Sequence, residues 1–161
     1  MAGATDQRGA QKKINWVCEI PAGALGLLKE GAAAYFQEGF GHASFAGGFD
    51  FETFELFWRT QLGSGAGRIW VTTEDGGPGG AVITGALGAV SYPWFYNAST
   101  TAAVVFWYTI PGYRGKGLDL FRAFEAWAAE IGAKRWSVGH LARLMPEKFA
   151  KFYERHGYQL N

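Results

Sequence analysis

The sequence predicts an α/β protein built on a mixed sheet. Three observations carry that class. Short apolar runs of strand length recur between longer segments of helical periodicity. One run, Thr101 to Ile110, is apolar almost throughout, as suits a strand covered on both faces. It passes through Pro111 and a loop with glycines and cations, Tyr113-Arg114-Gly115-Lys116-Gly117, into the clearest amphipathic helix of the chain.

In chain order, Lys13 to Glu19 reads as a first strand. Pro21 opens a helix with Leu25, Leu28, Ala32, Tyr35 and Phe36 on one face. Gly39, Gly41, Gly47 and Gly48 mark a crossing. Asp50 is an N-cap for a second helix whose inner face is Phe54, Phe57, Trp58 and Leu62. Gly63 to Gly67 is a connector: its glycines precede a strand, the wrong order for a phosphate loop. Arg68 to Thr73 is a strand, Glu74 to Gly80 a turn, and Ala81 to Tyr92 a strand that Gly85 and Gly88 weaken or bulge. Pro93 to Ser99 is an aromatic loop. After Thr101 to Ile110 and the basic loop, Leu120, Phe121, Phe124, Trp127, Ala128 and Ile131 form one helical face that ends at Gly132. Arg135 to Gly139 is a short strand. Pro146 begins a last helix with Phe149, Phe152 and Tyr153 inward, Gly157 stops it, and Tyr158 to Asn161 starts a final strand.

At 161 residues the chain is expected to be one domain, residues 12–161, behind a loose tail, residues 1–11, that lacks the apolar core of a signal peptide. With 48% hydrophobic and 18% charged residues, it is a folding composition. A net charge of +1 gives no global case for nucleic acid. No run is long and apolar enough for a membrane span. Cys18 is alone, which excludes an intrachain disulfide and suits a reducing, cytoplasmic setting. His42, His140 and His156 do not pair at ligand spacing, so no metal is expected.

The basic loop is where chemistry concentrates. A strand that hands over to a helix through glycines and cations suits a phosphate: backbone N–H groups come close and the helix N-terminus adds positive potential. It is not a nucleoside-triphosphate loop of the Walker type, because neither Ser nor Thr follows Lys116. An anionic cofactor is the expectation.

The element order and two motifs resemble the GNAT superfamily of N-acetyltransferases. The first motif is Arg114-Gly115-Lys116-Gly117-Leu118-Asp119 behind Pro111-Gly112-Tyr113; the family has Gly or Ala where Asp119 stands. The second is Phe152-Tyr153-Glu154-Arg155-His156-Gly157-Tyr158. The likeness runs from about Lys13 to the C-terminus and is tightest from Thr101 to Tyr158. It implies a mixed sheet of about six strands with four helices. It implies acetyl-CoA as co-substrate, without a metal, and transfer of acetyl to a primary amine of a small molecule or peptide by direct attack in a ternary complex. Family members continue past Tyr158 through one more strand, so an edge there would be a place to form a homodimer.

By that resemblance, backbone N–H groups of Arg114 to Leu118 wrap the pyrophosphate, with Arg114 and Lys116 neutralising it. Asp119 closes the motif. A backbone N–H within Tyr108, Thr109 and Ile110 stabilises the thioester oxyanion. Tyr153 stands at the position that gives a proton to the departing thiolate, the alternative being a core tyrosine. The base is less defined: His140 is the candidate with a suitable pKa, and Glu38 and His42 are others. The acceptor is expected against Tyr35 to Phe54 and the loop Tyr92 to Asn97. Those segments are aromatic and poor in carboxylates, which suits an apolar or aromatic amine or a peptide N-terminus better than a polyamine. The alternative function is a non-catalytic acyl-CoA-binding or interaction module on the same fold.

Overall fold

The computed structural model describes residues 15–40, 47–74, 82–113, 117–138 and 146–158. Among these, β1 (Asn15–Glu19), α1 (Lys29–Phe40), α2 (Phe51–Ser64), β2 (Gly67–Glu74), β3 (Val82–Pro93), β4 (Thr100–Thr109), α3 (Leu118–Glu130), β5 (Arg135–Val138) and α4 (Pro146–Arg155) follow in that order. The five strands lie in sequence order across one sheet. β1 to β4 are antiparallel, and β5 joins β4 in parallel. The mixed α/β class is as expected. The strand predicted from Tyr158 to Asn161, with the edge for a homodimer, falls largely outside the described residues.

Two cores sandwich the sheet. Trp70, Leu87, Ala89 and Ala102 face α3, whose Leu120, Phe121, Phe124, Trp127 and Ala128 are buried as the periodicity demands. The other face packs Ile69, Val71, Ala86 and Phe106 against Leu25, Leu28 and Trp58. Trp58 lies across β3 only because residue 88 is glycine: a Cβ there would stand 2.6 Å from the Trp58 ring and 2.4 Å from the Phe106 ring.

The first helix begins differently from expectation. Ala22–Leu28 is a 3-10 turn, and the α-helix starts only at Lys29. Gly23 and Gly26 weaken α-helix there, while Leu25 and Leu28, three apart, fall on one side of a three-residue turn and are both buried. In α2 the Asp50 cap is present: its carboxylate accepts from Glu52 N–H at 3.1 Å and Thr53 Oγ1 at 2.6 Å. Phe57, expected inward, is 42% exposed. Gly63 and Ser64 extend the helix, and Gly65, at φ +74°, ends it. In β3 the register slips opposite Gly85 and again between Gly88 and Ala89, so both glycines sit beside bulges.

Candidate active site at the end of the fourth strand

The site is built where β4 continues past its last described pair with β5. That pair is Val104↔Val138, whereas β4 continues to Thr109. A bulge leaves Val105 as the extra residue, since Gly88 pairs Phe106 but Ala89 pairs Val104. The bulge resets the alternation. Val104 faces α3, Val105 and Phe106 both face α1 and α2, and Trp107 returns to the α3 side.

The same alternation assigns the backbone. Ile110 N–H donates to Thr84 O at 3.0 Å, so the main-chain groups of Ile110, and two residues back those of Tyr108, point at β3. Those of Thr109 point the other way, to the side of the sheet on which β5 lies. Of the three residues named from sequence, Thr109 alone directs its N–H there.

β4 leaves the sheet through a tight turn. Tyr113 N–H donates to Ile110 O at 3.1 Å, with Pro111 second and Gly112, at φ +90°, third: the residues a type II turn requires. Tyr113 Oη donates to Glu74 Oε2 at the end of β2, which ties the loop to the sheet. Arg114, Gly115 and Lys116 lie outside the described residues. Gly117 is the N-cap of α3 and has no side chain with which to cap it. It presses on β4: a Cβ at 117 would stand 2.8 Å from Thr109 Oγ1 and 3.0 Å from Trp107 Nε1. Leu118 is half-buried in the α3 core. Asp119 is 52% exposed at its side chain and pairs with Arg122 at 3.3 Å, so its carboxylate lies on the outer surface with a compensating cation.

Tyr153 is 3% exposed on α4, between Phe152 and Tyr158. Burial pushes its phenol up to about 12, and repulsion from Tyr35 adds to this. Tyr35 comes from α1, on the other face of the sheet, where its ring meets Tyr108 edge-on at 6.0 Å. Its phenol is also raised by burial. Helical periodicity predicts Tyr35 on a helix face, but nothing in the sequence connects it with Tyr153. Residues 118 positions apart carry no local signal of such a meeting. His140 and His42 lie outside the described residues, and Glu38 is half-buried on α1. No group of three or more metal-ligating side chains occurs among the described residues.

A cleft of about 790 Å³ opens between α1, α2 and the faces of β3 and β4. Tyr35, Phe54, Phe106, Tyr108 and Ile110 line it. The loop Tyr92 to Asn97, expected beside it, is elsewhere. Pro93 pairs Thr100 and Gly85 pairs Thr109, so that hairpin tip lies a full strand, about 30 Å, from the end of β4.

No match was found among curated proteins. Among solved structures the chain is similar to a probable acetyltransferase at 18% identity, covering 91% of each chain with a TM-score of 0.69. It is similar to a GCN5-related N-acetyltransferase from Ralstonia eutropha JMP134 at 21% identity, over 91% of this chain and 94% of that one, with a TM-score of 0.64. A predicted acetyltransferase with acetyl-CoA from Clostridium acetobutylicum matches at 12% identity over 92% of each chain, with a TM-score of 0.65. These likenesses concern the fold. Residues 30–158, well over half of the chain, match the Acetyltransferase (GNAT) family directly. The chain therefore belongs to the GNAT family, and is an acetyltransferase.

Proposed function

We propose that the chain moves an acetyl group from acetyl-CoA to a primary amine by direct attack, with both held at once at the end of β4. One observation carries the reading: β4 runs on past its last described pair with β5, Thr109 N–H is aimed to that side, and α3 starts at a glycine three residues past the described turn. A strand edge and a helix N-terminus in tandem fit an extended chain that ends in phosphates. Gly117 supports this fit, since a Cβ there would push α3 off β4.

When bound, acetyl-CoA supplies an activated thioester and a thiolate leaving group. The N–H groups of Gly117, Leu118 and Asp119, with Arg114, Gly115 and Lys116 ahead of them, hold the pyrophosphate. Asp119 contributes its backbone, because its carboxylate is turned to Arg122. Thr109 N–H donates to the carbonyl oxygen as negative charge develops, with Tyr108 and Ile110 fixing its direction through β3.

Tyr153 would serve the departing sulfur as a hydrogen-bond donor. At about 12 its phenol is far weaker as an acid than a thiol near ~8.5; a gap of about 3.5 pKa units is about 5 kcal/mol against full transfer. It therefore steadies the thiolate until a proton arrives. His140 is the proposed acceptor of the amine's proton, with Glu38 and His42 as alternatives.

Calorimetric titration with acetyl-CoA, with ATP as control, tests the reading. Micromolar binding of acetyl-CoA alone, followed by thiol release with an amine, is expected. Equal binding of both nucleotides, or none of either, refutes it.

A further inference from the structure

We propose that the acceptor is a small apolar primary amine, alkyl or arylalkyl, with a single charged centre, seated in the cleft between α1, α2 and the β3–β4 face. The inference rests on the acetyl-transfer reading and adds the acceptor's class.

Position comes first. Tyr108 and Ile110 line the cleft and flank Thr109, so an amine lodged there reaches the carbonyl that Thr109 N–H would hold. The bulge at Val105 places two successive side chains, Val105 and Phe106, on the cleft side, which widens its apolar floor. Chemistry comes second. Rings of Tyr35, Phe54 and Phe106 meet at 5.8–6.4 Å and form the wall. Glu30 is the one charged residue among the lining residues described, and it is exposed. The Thr53 hydroxyl is already turned to Asp50.

This lining discriminates. A peptide would bring amides with few partners, each costing about 1–3 kcal/mol when buried unpaired. A polyamine would bring a second ammonium into the same apolar wall. A single amine on a hydrocarbon body loses neither. Burial also favours its neutral form, because desolvation lowers the pKa of an ammonium. The neutral nitrogen then donates its lone pair to the carbonyl carbon. The carbon–sulfur bond breaks with its electron pair on sulfur. The proton released by nitrogen equals the one gained by sulfur, leaving an N-substituted acetamide and a free thiol.

The test is thiol release by the full chain with acetyl-CoA and an amine panel: propylamine to hexylamine, 2-phenylethylamine, spermidine and a tetrapeptide. We expect kcat/KM to rise about four-fold per methylene, the equivalent of about 0.8 kcal/mol for each buried CH₂. 2-Phenylethylamine should exceed spermidine and the tetrapeptide by at least about a hundred-fold. Val105→Glu, at a position 47% exposed, should lower hexylamine kcat/KM at least about ten-fold while leaving acetyl-CoA affinity within two-fold. A flat alkyl series, or preference for spermidine or the tetrapeptide, with acetyl-CoA binding intact, overturns the acceptor assignment alone. Failure to bind acetyl-CoA overturns the acetyl-transfer reading and this inference with it.

Discussion

Replacing Gly117 with alanine probes the junction on which cofactor binding is proposed to depend. Gly117 has φ −74° and ψ −5°, a conformation that alanine adopts freely, so backbone strain does not enter. Space does. The new Cβ would stand 2.8 Å from Thr109 Oγ1 and 3.0 Å from Trp107 Nε1, where ordinary contact begins near 3.4 Å. Trp107 stacks on Phe121 at 5.3 Å between ring centres and cannot swing aside without disturbing α3. The start of α3 therefore backs away from β4 by roughly half an ångström. Overpacking of this kind costs about 1–3 kcal/mol, or roughly 2–12 °C in Tm for a chain of this size. The helix N–H groups move with it. Misaligning one hydrogen bond to a charged group costs about 1.5–3 kcal/mol, so acetyl-CoA should bind roughly ten- to a hundred-fold more weakly. Calorimetry gives the affinity and circular dichroism the melt. Kd within two-fold of the parent, whatever the Tm, would refute the placement of the anion at this helix start.

Other outcomes follow from the same geometry. Tyr153→Phe should lower kcat roughly ten- to a hundred-fold with acetyl-CoA affinity unchanged, the value of one hydrogen bond to a developing thiolate, measured by thiol release. Because burial holds the Tyr153 phenol up at about 12, stability is full below pH 10, where both states are protonated. It falls between pH 10 and 12, where the unfolded chain ionises first; Tyr153→Phe should flatten part of that fall in denaturant titrations. Gly88→Ala drives a methyl into the Trp58 and Phe106 rings and should lower Tm by several degrees while raising KM for the amine, since Phe106 lines the cleft. Asp50→Ala removes the α2 cap and should lower Tm by about 2–4 °C. The Asp50 pKa is depressed mainly by the Thr53 hydroxyl, so the parent's advantage over the variant, read from melts, should be present above the ordinary carboxylate range and fade as pH falls through the lowered value.

Local sequence carried a large part of this molecule. The face of α3, the Asp50 cap, the bulge beside Gly85 and the end of β4 at Pro111 are each dictated by residues within a few positions of one another, so periodicity and turn chemistry reveal them. The two motifs pointed to the family that residues 30–158 match. What tertiary structure decided is of another kind. Which of Tyr108, Thr109 and Ile110 aims its N–H away from β3 depends on strand register, and the bulge at Val105 resets that register without altering the apolar pattern. Asp119 reads as a misplaced charge in the motif, yet the first turn of α3 presents it to Arg122 on the outside. Tyr35 and Tyr153 influence each other although they come from α1 and α4, 118 positions apart, a meeting that only the fold brings about. The hairpin at Tyr92 to Asn97 is aromatic like the cleft but contributes none of the lining residues described. Composition cannot tell two aromatic segments apart; pairing across β3 and β4 places the hairpin at the opposite end of β4 from Thr109.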